Sequence, residues 1–302
     1  MTARFVPFAA LLLAGLAGLT AAGQTAPEKK LRIIAFGAHP DDAELKVGGT
    51  AARWAKAGHA VKLVSVTNGD IGHWKMGREA LAKRRLAEVQ AAAKVLGVTA
   101  QVLDIHDGEL EPTLENRKTI TRLIREWNAD IVISHRPWDY HPDHRYVGVL
   151  VQDSAYMVAV PKFCPETPPL KHNPVFLFSS DGFINPYRFK ADVVVALDDV
   201  INIKWDAIHE LESQLYEGGA LGSEEEFRQV PPASDVAARK AWFRDKHRWS
   251  KIESNAADRF REELVARYGA EKGRQVKYAE AFEICEYGRR PSRDEMKTLF
   301  PY

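Results

Sequence analysis

Leu31-Arg32-Ile33-Ile34-Ala35-Phe36-Gly37-Ala38-His39-Pro40-Asp41-Asp42-Ala43-Glu44 is the stretch on which the reading of this chain turns. A short apolar run ending at a glycine has the character of a buried parallel strand. One imidazole and two carboxylates follow at its carboxyl end, where open α/β sheets bind their ligands. Further along, His135-Arg136-Pro137-Trp138-Asp139-Tyr140-His141-Pro142-Asp143-His144-Arg145 follows a second apolar run, Ala129-Asp130-Ile131-Val132-Ile133-Ser134. Two clusters of histidine and carboxylate at strand ends of one sheet read together as a mononuclear metal hydrolase site.

A borderline cation such as Zn²⁺ accepts imidazole nitrogen and carboxylate oxygen, and a catalytic site keeps three protein ligands with a further position open to water. His39, Asp42 and His144 can supply that set, since residues three apart in a turn leaving a strand can point to one side. Asp41 then faces away from the metal yet stays near its water, which is the place of a general base. His141, three residues before His144, can face a substrate carbonyl and stabilise the oxyanion in its protonated form. Pro40 and Pro142 fix the backbone beside these groups.

With these residues in place, the chain resembles the PIG-L/LmbE-like N-acetylglucosaminyl deacetylase family through Ala38-His39-Pro40-Asp41-Asp42 and through the His-x-Asp-His motif at His141–His144. The resemblance runs from Leu31 to about Tyr216 and more weakly to the end. It implies a Rossmann-like α/β fold and removal of acetyl groups from N-acetylglucosamine-type sugars with a divalent metal, usually zinc. It also implies His39, Asp42 and His144 as metal ligands, Asp41 as the base, His141 as the oxyanion stabiliser and Asp143 as the carboxylate beside His141. Thr67-Asn68-Gly69-Asp70, Arg85 with Glu88, and Asp107-Gly108-Glu109-Leu110 resemble recurring family segments near the pocket, which makes Asp70, Arg85 and Asp107 candidates for substrate binding. Lys46-Val47 before Gly48-Gly49-Thr50, and the segment after Gly218, depart from the family pattern and bear on substrate identity.

The chain has 302 residues, enough for one large α/β domain or a domain with a helical extension. A formal net charge of +1 gives no electrostatic reason to bind nucleic acid. Arg4, the apolar stretch from Phe5 to Leu19 and the small residues Thr20-Ala21-Ala22-Gly23 have the layout of a secretory signal peptide, so export to the periplasm or medium is expected. Cys164 and Cys285 have neither metal-site nor redox spacing, and are open to a disulfide or to two buried thiols.

Apolar runs and helical stretches alternate as βαβ units do. Strands are expected over 31–38, 61–67, 101–105, 131–134, 175–180 and 192–197, with helices over 43–57, 78–96, 114–127, 146–158 and 199–217. This predicts a mostly parallel Rossmann-like sheet with helices on both faces, built from 31–217 after a signal peptide (1–23) and linker (24–30). Residues 218–302 are expected to form a helical extension packed on the same domain, with a last strand or helix over 278–287. Gly48-Gly49 lacks a spaced third glycine and lies within a predicted helix, so close packing explains it better than dinucleotide binding. Trp242, Phe243 and Trp249 read as helical core in preference to a sugar platform. The loop 68–77 can close over the site, and its Asp70, His73 and Trp74 are candidates for contacting a sugar.

The function that follows is a zinc-dependent, or otherwise divalent-metal-dependent, deacetylase of an N-acetylated sugar or sugar conjugate. An amide or ester hydrolase of a non-sugar metabolite and a non-catalytic carbohydrate-binding protein are the alternatives. A structural zinc site would be closed by four protein ligands, often cysteines, and neither cysteine is near the motifs.

Overall fold

A computed structural model describes residues 29–300 together with Met1 and Thr2. The expected signal peptide and most of the linker after it lie outside the described residues. Among the described residues, no helix is long and apolar enough to cross a membrane.

Among the described residues, seven strands form one sheet: β1 (Arg32–Gly37), β2 (Ala60–Ser65), β3 (Thr99–Val102), β4 (Ile131–Ser134), β5 (Val175–Ser179), β6 (Val193–Ala196) and β7 (Ala279–Ile284). Their order is β3-β2-β1-β4-β5-β7-β6. β1 to β5 pair in parallel, and β7 alone runs against its neighbours β5 and β6. Residues 218–300 therefore contribute short helices and also a strand inserted between β5 and β6, so this segment shares one core with the rest.

Side chains alternate between the two faces of each strand, and the β1 sequence uses both. Ile33 and Ala35 join the core under helices α1 (Asp42–Lys56) and α2 (Arg78–Leu96), whereas Ile34 and Phe36 join the opposite core under α3 (Leu114–Trp127) and α4 (Pro142–Met157). The helices 252–259 and 261–268 pack on β6 and β7 through Ala257, Phe260 and Leu264. Phe243 is buried beside Leu45, Ile208 and Tyr216, with Trp242 and Trp249 against it, so these rings are core. Gly49 serves close packing: a Cβ there would lie 2.6 Å from Leu197, and its N–H reaches the β7 carboxylate Glu280 at 2.9 Å. Cys164 and Cys285 are both free and buried.

Two differences from the expected elements matter. The helix expected from Tyr146 begins at Pro142, because His141 caps it and proline suits a first helical position. Asp143 and His144 are thus in a rigid first turn. The helix expected over 199–217 is broken into Ile201–His209 (α5) and Glu212–Leu215, with Leu211 buried at the break and Ser213 turned to the Glu88 carboxylate.

Candidate active site

β1 and β4 are neighbours, and the chain leaves them towards opposite edges of the sheet. The crevice beyond their carboxyl ends is therefore the point where strand order reverses, the usual ligand position in such folds. His39 follows β1 and the 135–144 cluster follows β4. The loops after β2 and β3 bring Asn68–Gly77 and His106–Asp107 to the same edge.

His39 Nδ1, Asp42 Oδ2 and His144 Nε2 form a nearly equilateral triangle. The separations are 3.3 Å for His39 to Asp42, 3.2 Å for His39 to His144 and 3.3 Å for Asp42 to His144. Zinc bonds of about 2.0–2.1 Å place tetrahedral ligands about 3.3–3.4 Å apart, so these atoms fit such an ion. Each ring is aimed by a carboxylate at its other nitrogen. His39 Nε2 lies 3.0 Å from Asp107 Oδ1 and 3.3 Å from Asp143 Oδ2, and His144 Nδ1 lies 3.1 Å from Asp139 Oδ1. Carboxylates placed in this way fix the ring tautomer and raise ligand basicity.

The charges are interdependent. Burial opposes ionisation of Asp42, but the imidazoles of His144, His135 and His39 outweigh it and hold its carboxyl well below the usual range. Burial also opposes the charged form of His144, which Asp42 and Asp139 reverse, raising it. Asp41 is raised by burial and by Asp42, against the lowering influence of Arg85. Arg85 Nη2 donates to Asp41 Oδ2 at 2.9 Å, and Arg85 is only 2% exposed. Glu44, one helical turn in, is pushed up to about 8 by burial.

His141 accepts the Asp143 N–H at Nδ1, 3.2 Å away. This bond leaves the proton of a neutral ring on Nε2. Burial and the neighbouring His39 and His144 lower its pKa. Both effects disfavour the protonated form expected for His141, and the neutral ring would keep one N–H donor at Nε2. Asp143 also differs from expectation. Because it lies in the first turn of α4, its carboxylate turns to His39 and to the Gly108 N–H at 2.7 Å, while only its backbone N–H meets the His141 ring.

The three loop residues expected near a sugar are placed otherwise. Asp70 is buried, accepting from Arg78 Nε at 2.8 Å and the Asp107 N–H at 3.1 Å, with His106 Nδ1 at 2.7 Å, so it anchors the loop carrying Asp107. His73 stacks on Trp74 and lies 3.0 Å from Glu217. Trp74 donates from Nε1 to the Glu217 carbonyl at 2.7 Å. Gln214 holds the Gly72 carbonyl at 2.9 Å, so the loop is a tied wall. Gly69 belongs to that wall because its φ of 67° suits glycine and because a Cβ would lie 2.7 Å from the Arg85 guanidinium carbon.

Two residues near the triangle of His39, Asp42 and His144 had no role in the sequence reading. His135 is buried, stacks on His144 with centroids 4.2 Å apart, accepts the Ala38 N–H at 3.2 Å and lies 3.4 Å from Asp42 Oδ2. Asp139 holds His144 and accepts the His141 N–H at 3.2 Å. Both lie in the quoted second cluster; the signal there was their density of ligand types.

Residues 34–155 match the family model described as PIG-L, GlcNAc-PI de-N-acetylase. A diacetylchitobiose deacetylase of Thermococcus kodakarensis is 32% identical over 192 residues, covering 62% of this chain and 71% of that protein. A 4-oxalmesaconate hydratase of Pseudomonas putida is 26% identical over 160 residues, covering 50% of this chain and 61% of that protein. Among solved structures, N,N'-diacetylchitobiose deacetylase from Pyrococcus horikoshii matches with a TM-score of 0.64 at 24% identity, covering 84% of each chain. By its sequence match across most of a deacetylase relative, and with both motifs assembled at one sheet edge, this chain belongs to the PIG-L family.

Proposed function

We propose that the protein is a zinc-dependent hydrolase that removes the N-acetyl group from an N-acetylglucosamine-type sugar or sugar conjugate. The observation that carries this reading is the His39–Asp42–His144 triangle with the Asp41 carboxylate beside it. His39, Asp42 and His144 would hold the ion, which supplies Lewis acidity to an amide carbonyl and acidity to water. Asp41 takes a proton from the attacking water as the new C–O bond forms. Arg85 anchors one oxygen of that carboxylate and partly offsets the raising effect of burial. His141 donates its Nε2–H to the developing oxyanion, as a preorganised neutral donor. Asp41 then returns the proton to the departing nitrogen as the C–N bond breaks, leaving acetate and a free amine.

The relative named as a hydratase shows that water can be directed at other substrates in this fold. Arg78, Arg85 and Arg136 around this site already face Asp70, Asp41 and Asp181, which favours an uncharged substrate over a dicarboxylate. Export is proposed on the first 23 residues alone.

The test is to incubate zinc-loaded protein with N-acetylglucosamine conjugates, simple acetyl esters and 4-oxalmesaconate. Equal release of acetate and amine from the sugar amides supports the reading. Turnover confined to the esters or to hydration would overturn it.

A further inference from the structure

Trp74, the tryptophan that the sequence offers as a sugar platform, is packed in the wall formed with Glu217 and Gly222. A different set of aromatic rings lies open beside the site, on the loops that follow β4 and β5. Tyr140 is 73% exposed, yet its ring lies edge-on to the rings of His141 and His144, with centroids 5.8 and 5.4 Å away. Its other neighbour is Phe183, 6.3 Å away on the loop after β5. A second pair joins the same two loops: Trp138 and Tyr187, 37% and 40% exposed, meet at 5.2 Å.

Open rings on mobile loops would mean little, but both loops are pinned from beneath. Arg136, adjacent to His135, is buried and donates to both oxygens of Asp181 at 2.7 and 2.8 Å and to the carbonyls of Phe183 and Tyr187, each at 3.1 Å. Gly148 of α4 abuts the Arg136 backbone so closely that a Cβ would lie 2.7 Å from it. Arg145 donates to the carbonyls of Asp139 and Tyr140 at 2.9 and 3.1 Å. The guanidinium groups fix backbone carbonyls, and Arg136 also lies over the inner face of the Tyr187 ring, 5.1 Å from its centroid, which backs that ring and leaves its other face open.

We infer that Tyr140, Phe183, Trp138 and Tyr187 form a stacking ledge for a second pyranose ring, so that the preferred substrate is an N-acetylated oligosaccharide whose neighbouring sugar lies along this ledge. This rests on the deacetylase reading above. The ledge continues directly from the histidines of the reacting centre, and its rings are joined by polar backbone and charged side chains. Rigid rings with polar surroundings suit the apolar face and hydroxyl rim of a sugar; they suit a long acyl chain less well. A single-sugar substrate would leave the ledge uncovered.

The experiment has two arms. In the first, metal-stripped protein is titrated calorimetrically with N-acetylglucosamine and with N,N'-diacetylchitobiose, with released acetate checked after each titration. The disaccharide should bind at least tenfold more tightly, and Phe183→Ala and Trp138→Ala should each remove about tenfold of that preference. Equal binding of the two sugars, or a preference untouched by either variant, would overturn the ledge. In the second arm, zinc-loaded protein is assayed on both sugars, and the variants should raise KM for the disaccharide with little change in kcat. Equal loss of kcat on both sugars would mean general damage to the site and would overturn the assignment. Absence of turnover by the parent protein, with chitobiose binding intact, would count against the deacetylase reading and leave the ledge standing. Phe183→Leu and thermal melting identify any variant that fails only because it misfolds.

Discussion

The Arg85 guanidinium donates to Asp41 Oδ2 at 2.9 Å and to the Gly69 carbonyl at 3.1 Å, so one buried cation joins Asp41 to the wall beside it. Burial raises the Asp41 carboxyl and Arg85 lowers it. Arg85→Met removes the lowering influence, and Asp41 stays protonated to higher pH. The acid limb of the kcat/KM profile should move to higher pH, with activity near neutrality falling about 10²-fold. Leaving a buried carboxylate unpaired should also cost about 3–5 kcal/mol of stability, read by denaturant unfolding. An unmoved acid limb would detach Arg85 from the base.

Asp139 aims His144 through a 3.1 Å contact at Nδ1. Asp139→Ala should weaken zinc binding about 10–100-fold, as loss of an orienting carboxylate does. Competition against a chelator of known affinity measures it, and an unchanged affinity would place Asp139 outside the site.

His247 lies among Trp242, Phe243 and Trp249, and accepts the Trp249 N–H at Nδ1. Burial and Arg248 push its pKa from 6.5 down to about 4. The unfolded chain therefore takes up a proton that the folded ring refuses, and stability falls as pH drops from 6.5 to about 4. His247→Asn keeps a cap acceptor without titrating. Its melting temperature should fall less steeply than the parent's across that window; parallel curves would contradict the assignment.

Lys204 lies wholly buried with Nζ 2.6 Å from both Glu253 and Glu280 and 2.7 Å from the Leu45 carbonyl. Lys204→Met strands two buried carboxylates and should cost about 3–5 kcal/mol. Urea unfolding tests this, and a loss under 1 kcal/mol, roughly the value of a surface pair, would mean that water reaches the cluster.

The legible parts of the fold were those with local signals. Arg78–Leu96 and Leu114–Trp127 have the expected bounds because Gly97 and Asn128 take left-handed conformations at their ends and Thr113 caps the second. The early start at Pro142 also has a local signal, a capping His141 followed by proline at the first helical position. The break before Glu212 has no breaking residue, since it follows from burial of Leu211 and from Ser213 meeting Glu88 across the fold. Insertion of β7 between β5 and β6 is a pairing of distant segments that no local pattern encodes. At the site, residue types and strand ends singled out His39, Asp42 and His144, which the fold brings together. They could not show that Asp107 and Asp143 converge on one nitrogen of His39, or that Trp74 is tied to Glu217 while Tyr140 is open.

Stepwise return of zinc to metal-stripped protein, with amine release from an N-acetylated sugar followed at each addition, tests the metal-dependent reaction most directly. Activity should be absent at the start, rise in proportion to zinc and level off at a single equivalent per chain, and His144→Ala should abolish the rise. Full activity in the stripped protein, or a rise that survives loss of His144, would contradict a reaction centred on His39, Asp42 and His144.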